Sequence, residues 1–430
     1  MRQDFSKSRR QGNATSERKV IIRKHRADYK IVLYMGLLVM LGLILLFAIS
    51  PYQIARLNAD GSTLSQSYYM IKQLVYLGIG LAAFIAAAVI PISFITKYKN
   101  KLLLGAIGVC LLLTLLGVLG LPPALCFNGA CRWYDVGFGT FQPAEFLKFA
   151  LFIFMASFIA YKAKIGKLND IQDTIVPLAV VLIVAIVLVV LLQKDMGTGI
   201  TILGCLAAMI YASGMRLKLL AAGLAALGGL GLLLIVTSAH RMERVMTLFN
   251  PGAASDASNY HIEMATVAIG SGGFLGRGLG NGVQAFGYLP EALNDSIFAV
   301  LGETFGFVGL LFVLGLFVAL LLRIVKVAER TEDMTMRLLA YGAFGWIATH
   351  VVVNVGAMIG VFPLTGVTLP FLSFGGTSLL FIMATLGIVY QVSKYTAHAP
   401  LTTKEPDAST DSRRGIGRTR HAGSRGYQRA

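Results

Sequence analysis

An all-α, polytopic membrane protein is what this 430-residue sequence predicts, and three observations predict it. The chain is 56% hydrophobic and only 14% charged, against roughly 25% charged residues in an ordinary soluble domain. Its apolar residues gather in ten runs, each close to the ~20 residues that a helix needs to cross a hydrocarbon core of about 30 Å. Its basic residues gather in the two tails and in alternate short loops, the distribution of a positive-inside topology.

The runs lie near 31–50, 71–92, 102–121, 143–162, 174–193, 196–214, 217–237, 296–323, 338–360 and 370–393. Helices are expected because a backbone in lipid must satisfy its polar groups within the segment. The flanking segments, 1–29 and 396–430, are rich in Arg, Ser, Thr and Gly and read as disordered basic cytoplasmic tails. Between them, 30–395 forms one ten-helix membrane domain. With no cleavable leader before it, the first run reads as a signal anchor.

Orientation follows from charge. Arg18, Lys19, Arg23, Lys24, Arg26 and Lys30 precede the first run; Lys97, Lys99 and Lys101 follow the second; Lys162, Lys164 and Lys167 follow the fourth. Arg216 and Lys218 follow the sixth, Arg323, Lys326, Arg330 and Arg337 the eighth, and Arg413, Arg414, Arg418 and Arg420 lie in the last tail. Ten crossings with both termini cytoplasmic satisfy the whole pattern. The net charge of +17 is therefore a membrane-facing charge, suited to anionic lipid rather than to nucleic acid.

Two outer segments exceed the length of a turn: 121–142, and the large extracytoplasmic loop 238–295 between the seventh and eighth spans. Loops of that length are commonly functional. The second carries Met242, Leu248, Tyr260, Met264 and Phe286 and is expected to pack as short interfacial helices. Cys110 and Cys205 lie inside apolar runs and read as small apolar residues. Cys126 and Cys131 flank a polar loop, where a disulfide and two free thiols are equally compatible with the sequence; the spacing lacks a second ligand pair for zinc.

The unusual residues lie toward the outer side. Glu145 and Lys148 are three apart, after Pro143 at a helix start, and share one face. Charges at that depth face a protein-lined or wet cavity, as an internal ion pair or as part of a site. Asp195, in Gln193-Lys194-Asp195-Met196-Gly197, suits the N-cap of the sixth span. Gly270–Gly280 lacks the Lys-Ser/Thr ending of a phosphate loop and reads as a re-entrant turn. Asp295 immediately precedes the eighth run. Alone it reads as an N-cap, yet a carboxylate at a membrane–water boundary is also suited to general-base work. Glu303 follows two turns later.

Taken together, Gly129–Trp133, Gln142–Lys148, Gln193–Gly199, Gly270–Gly280, Leu289–Gly306 and Pro363–Ser378 resemble, in order and spacing, the SEDS family (shape, elongation, division and sporulation). The resemblance covers roughly residues 30 to 393. It implies a peptidoglycan glycosyltransferase that polymerises lipid II on the outer face of the membrane. An acceptor sugar hydroxyl would displace polyprenyl pyrophosphate with inversion. The family's catalytic aspartate falls at Asp295, in Leu289-Pro290-Glu291-Ala292-Leu293-Asn294-Asp295, as the general base. Arg132, Lys148 and Lys194 are implied as pyrophosphate contacts, with Glu145 and Glu303 as supporting members of the substrate site. A divalent cation, magnesium or manganese, would neutralise the leaving group. The implied partners are a class B penicillin-binding transpeptidase, meeting the outer loop and spans eight and nine, and other division proteins.

The chain departs from the usual family wording at Asn294-Asp295-Ser296, at Ala144 and around Tyr260-His261. Its long basic N-terminal tail, C-terminal extension and Thr368-Leu369-Pro370 favour a division-type member over a rod-type one. A lipid II flippase and a non-catalytic division scaffold are the competing readings. A flippase needs ionisable groups across the bilayer, and here they cluster outside.

Overall fold

In the computed structural model, residues 27–395 are described, apart from Asp60, Asn128, Phe138, Leu217 and most of 220–255. The expected tails, save residues 27–29, and most of the expected seventh span lie outside the described residues, as does most of 238–255. Among the described residues, nine helices are long and apolar enough to cross a membrane. They are α1 (Tyr29–Ala59), α2 (Tyr68–Val89), α4 (Lys99–Leu119), α5 (Pro143–Lys164), α6 (Ile171–Leu192), α7 (Met196–Ser213), α9 (Ile297–Glu329), α10 (Met334–Met358) and α11 (Gly376–Val392). A short α3 (Ile92–Lys97) links α2 to α4, and α8 (Asp256–Gly272) occupies the long loop. Each of the nine overlaps an expected run, and the ends agree within a few residues except that α1 runs on past 50 to Ala59, α9 runs on past 323 to Glu329, and α11 starts late.

Helix ends follow local chemistry. Gly120 and Gly214 close α4 and α7 in the left-handed conformation. Pro143 opens α5, where its missing N–H costs nothing. Asp195 caps α7, as expected, by accepting from the Thr198 amide at 2.9 Å. The last span was expected from 370 but begins at Gly376. Pro370 and the left-handed Phe371 (φ 68°) interrupt helical geometry there, and Ser373 instead closes a turn onto the Leu369 amide at 2.8 Å.

The all-α, polytopic expectation holds for the bundle, and one small sheet accompanies it. The first outer segment folds as a three-stranded antiparallel sheet, β1 (Ala124–Phe127), β2 (Ala130–Asp135) and β3 (Thr140–Phe141). Aromatic and thiol-bearing residues such as Trp133, Tyr134 and Cys131 suit a half-buried pleated surface. Cys126 and Cys131 are cross-strand partners and are bonded to one another. The two remaining cysteines, Cys110 and Cys205, are buried. A maleimide is therefore expected to label no cysteine in the folded, oxidised protein and two after mild reduction. Two labels without reductant would contradict the bond.

α9 is broken at Gly306 (φ 65°, ψ −165°). A helix break within a membrane must have its freed backbone groups satisfied by protein. The Gly270–Gly280 segment does this. The amides of Arg277 and Gly278 donate to the carbonyls of Glu303 and Thr304, each at 3.0 Å, and those of Phe307 and Val308 donate to Gly273 and Phe274 at 2.9 and 3.1 Å. The re-entrant turn expected here is thus laced into the span beside it. Such backbone contact leaves no room for side chains. A Cβ on Gly276 would meet the Thr304 carbonyl, and one on Gly306 the Gly276 amide, both at positive φ. Gly276→Ala should cost about 2 kcal/mol or more from strain alone. The check is the melting temperature of the detergent-solubilised protein, and an unchanged value would contradict this reading.

The end away from the sheet collects the basic loops. Asp28 pairs with Arg323, and its amide donates to Ser393 Oγ at 2.9 Å. Lys394 reaches the Ala88 carbonyl at 3.0 Å, and the Arg216 amide reaches Asn169 Oδ1 at 2.9 Å. The two expected faces of the bundle, one basic and one chemically equipped, are separate ends of the same fold.

Candidate active site

The site is organised on α10. His350 and Asn354 lie one turn apart on one face of that helix and are 2% and 1% exposed. Asn354 Nδ2 donates to two carbonyls, those of Asp295 and Val367, each at 2.7 Å. His350 Nδ1 faces the Thr368 carbonyl at 3.0 Å. Its Nε2 receives the indole N–H of Trp346 and the ammonium of Lys148, each at 3.1 Å. An indole only donates and a carbonyl only accepts. His350 is therefore held with its hydrogen on Nδ1 and its lone pair on Nε2.

Lys148 extends this network to α5. Its Nζ lies 2.8 Å from Glu145 Oε1 and 5.1 Å from the centre of the Trp346 ring. Both members of the pair are 4% exposed. Their shared helix face was legible from the spacing. The Lys148 ammonium, which the resemblance placed at the pyrophosphate, is enclosed here and shared between Glu145 and His350. Beside them, Asp195 accepts from Gln142 Nε2 at 3.0 Å and from Thr198 Oγ1 at 2.9 Å.

The two other cations form a rim. Arg132, on β2, donates to the carbonyls of Gln193 and Lys194 at 3.1 and 2.7 Å. Lys194, exposed and left-handed (φ 54°), donates to the Gly129 carbonyl at 2.8 Å. The sheet and the α6–α7 turn thus hold one another and present two adjacent positive charges at this end.

Asp295 is half-buried, one residue before Ser296, the N-cap of α9. The N-cap reading of Asp295 is thereby corrected by one position. Ser296 gives its hydroxyl hydrogen to the Pro290 carbonyl at 2.8 Å, so its oxygen accepts from His261 Nε2 at 2.6 Å. Two positions at which this chain departs from the usual family wording therefore bond to each other next to Asp295. Glu303 stands apart. It is fully buried, and its carboxylate accepts the amides of Val283, Gln284 and Ala285 at 2.6, 2.9 and 2.9 Å. It braces the loop leading to Asp295.

Sequence reasoning missed His350 and Asn354. The signal was present: two polar side chains four apart inside an apolar span are costly unless they serve a site.

A family model described as a cell cycle protein, covering FtsW, RodA and SpoVE, matches residues 29–398. The chain belongs to that family. It is 35% identical over 332 residues to a protein of Coxiella burnetii named as a probable peptidoglycan glycosyltransferase FtsW, covering 76% of this chain and 86% of the relative. It is 32% identical over 378 residues to the stage V sporulation protein E of Bacillus subtilis, covering 87% and 99%. A chain from a peptidoglycan synthase complex, solved to show how polymerization and crosslinking are coordinated, matches with a TM-score of 0.69 at 24% identity, covering 86% of this chain and 99% of that one. The rod shape determining protein RodA of Thermus thermophilus matches with a TM-score of 0.62 at 24% identity, covering 87% and 98%. The FtsW/RodA/SpoVE fold is thus shared along the whole described bundle. The chain is an integral membrane protein of that fold.

Proposed function

We propose that this chain is a peptidoglycan glycosyltransferase that extends glycan strands from lipid II, with Asp295 as its general base. The observation that carries the reading is the position of Asp295: half-buried at the start of α9, at the end of the bundle that bears the exposed cations. The similarity to proteins named as glycosyltransferases supports the same activity.

The chemistry asks for little else. The acceptor hydroxyl oxygen forms a bond to the anomeric carbon as the bond to the pyrophosphate oxygen breaks, and the configuration inverts. Asp295 takes the hydroxyl proton. The leaving pyrophosphate departs as an anion, so no carboxylic acid partner is needed. Arg132 and Lys194 sit where they can stabilise its charge. Glu145 and Lys148 act one layer deeper, through His350, on the turn carrying Val367 and Thr368.

A magnesium or manganese ion would add charge neutralisation. Among the described residues, no three His, Cys, Asp or Glu side chains come together to hold one. Its ligands would be chiefly phosphate oxygens and water.

The sheet-bearing end faces outward in this reading and both termini face the cytoplasm. The disulfide suits an oxidising compartment, and the opposite end carries the basic loops. The buried ionisable residues Glu145, Lys148, Asp195, Glu303 and His350 belong to the sheet-bearing half. That favours chemistry at one surface over carriage of a lipid across the membrane. A crosslinking transpeptidase of the class B penicillin-binding type is the proposed partner, on the analogy of the synthase complex above, and a role in division with other division proteins follows from the FtsW-named relatives. Reconstitution with that partner, lipid II and a gel assay for glycan length tests the activity. Transbilayer movement of lipid II without glycan would favour a flippase instead.

A further inference from the structure

We infer that Asn354 is a positioning residue for Asp295, fixing the direction of the base through its main chain; this rests on the glycosyltransferase reading. The two amide hydrogens of Asn354 reach carbonyls on two separate segments, Asp295 before α9 and Val367 in the turn before α11, each at 2.7 Å. The side-chain orientation is forced. Both partners are carbonyl oxygens, which only accept, so nitrogen and not oxygen must face them. The amide oxygen, Asn354 Oδ1, is buried and has no hydrogen-bond partner among the described residues. A buried acceptor left without a bond costs free energy. The site bears that cost while two other carbonyls are satisfied.

Geometry explains why this matters to Asp295. The carbonyl of a residue belongs to the peptide plane that follows it. Holding that oxygen fixes the backbone dihedral ψ of Asp295, and hence the direction in which its Cβ leaves the chain. The carboxylate is one bond further on. Misplacement of a reacting group by about 1 Å costs on the order of 100-fold in rate.

The anchor is itself rigid. One turn earlier on α10, His350 holds the next carbonyl of the same turn, Thr368, at 3.0 Å, and is locked by Trp346 and Lys148. Two successive carbonyls of the turn and the carbonyl of Asp295 are therefore referred to one helix face. On the far side, Ser296 is tied to Pro290 and to His261 of α8. Asn354 does not touch the substrate in this arrangement. Its enclosed oxygen and its two committed hydrogens leave it nothing to offer.

The test uses the full-length chain with its crosslinking partner. Asn354→Leu keeps the approximate volume and removes both donors. Asn354→Gln keeps an amide donor on a longer arm. For the leucine variant, kcat per folded molecule should fall about 10- to 100-fold, with KM changed less than about threefold, since an orienting residue acts on the reacting step. The glutamine variant should recover part of kcat. A second readout needs no activity: backbone hydrogen exchange over 291–299 should quicken in Asn354→Leu. Unchanged kcat per folded molecule, or unchanged exchange over 291–299, overturns the inference. So does a lower yield of folded protein with normal kcat. If wild type itself makes no glycan, the glycosyltransferase reading fails and this inference falls with it. Glycan made by wild type and by Asn354→Leu at equal rates sinks only the role of Asn354.

Discussion

Replacing Asp295 with asparagine should lower the rate of glycan polymerisation by about a hundred- to ten-thousand-fold, the range over which a positioned general base contributes. The variant should still fold. The bond that ties Asp295 to Asn354 is made by the main-chain carbonyl, which asparagine keeps, and the N-cap of α9 is Ser296. Asparagine is close in size and retains a polar group, but it cannot take a proton at neutral pH. Asp295→Glu should fall between the two, because the carboxylate survives but is displaced by one methylene. Initial rates of lipid II consumption, normalised to monodisperse protein, check this. Wild-type rates in Asp295→Asn would return Asp295 to a structural role and require a different base.

The second large effect concerns stability. Truncating Glu145 to alanine should destabilise the protein by about 3–5 kcal/mol, because it leaves the Lys148 charge buried without its counter-charge. The pair is enclosed, with side chains 6% and 3% exposed and 2.8 Å between charged atoms. The second carboxylate oxygen of Glu145 has no partner among the described residues, so Lys148 carries the compensation. Removing both charges together, as Glu145→Gln with Lys148→Met, should cost much less than either single truncation, since neither leaves an isolated charge. Thermal unfolding in detergent of the two single variants and the double variant gives the comparison. A cost below about 1 kcal/mol for Glu145→Ala would be that of a solvent-exposed pair and would contradict the burial described here.

Much of the bundle was legible because lipid imposes one rule on every span: a run of apolar residues of fixed length, with its backbone bonds made internally. That rule located α4, α5 and α7 closely. It misplaced the start of α11, because the apolar count continues through Pro370 and Phe371 while the backbone cannot. It was blind to the sheet at 124–141, whose pairing depends on a short hairpin rather than on hydropathy. It was also blind to the break at Gly306. The partner of that break, Gly273–Gly278, lies some thirty residues upstream, and nothing local announces which glycine loop will satisfy which carbonyl.

The site divides in the same way. Glu145 with Lys148, and Asp195 as a cap, follow from spacing of three along a helix and from a residue at a helix start. Asp295 was found through its wording, Leu-Pro-Glu ahead of it, and by its place before an apolar run. His350 and Asn354 were passed over because one histidine and one asparagine barely lower the mean hydropathy of a 25-residue helix. Their importance appears only when α5, α9 and the turn at 363–375 are brought to the same face. Glu303 was legible as a carboxylate near the site, but the three backbone amides that take it up were not.

The most direct test of the central claim is formation of glycan from purified lipid II by the wild-type chain with its transpeptidase partner, run beside Asp295→Asn in the same membrane. The account predicts polymer with wild type and almost none with a folded Asp295→Asn complex. Equal polymer from both, or none from an intact wild-type complex that still moves lipid II across the bilayer, would contradict it.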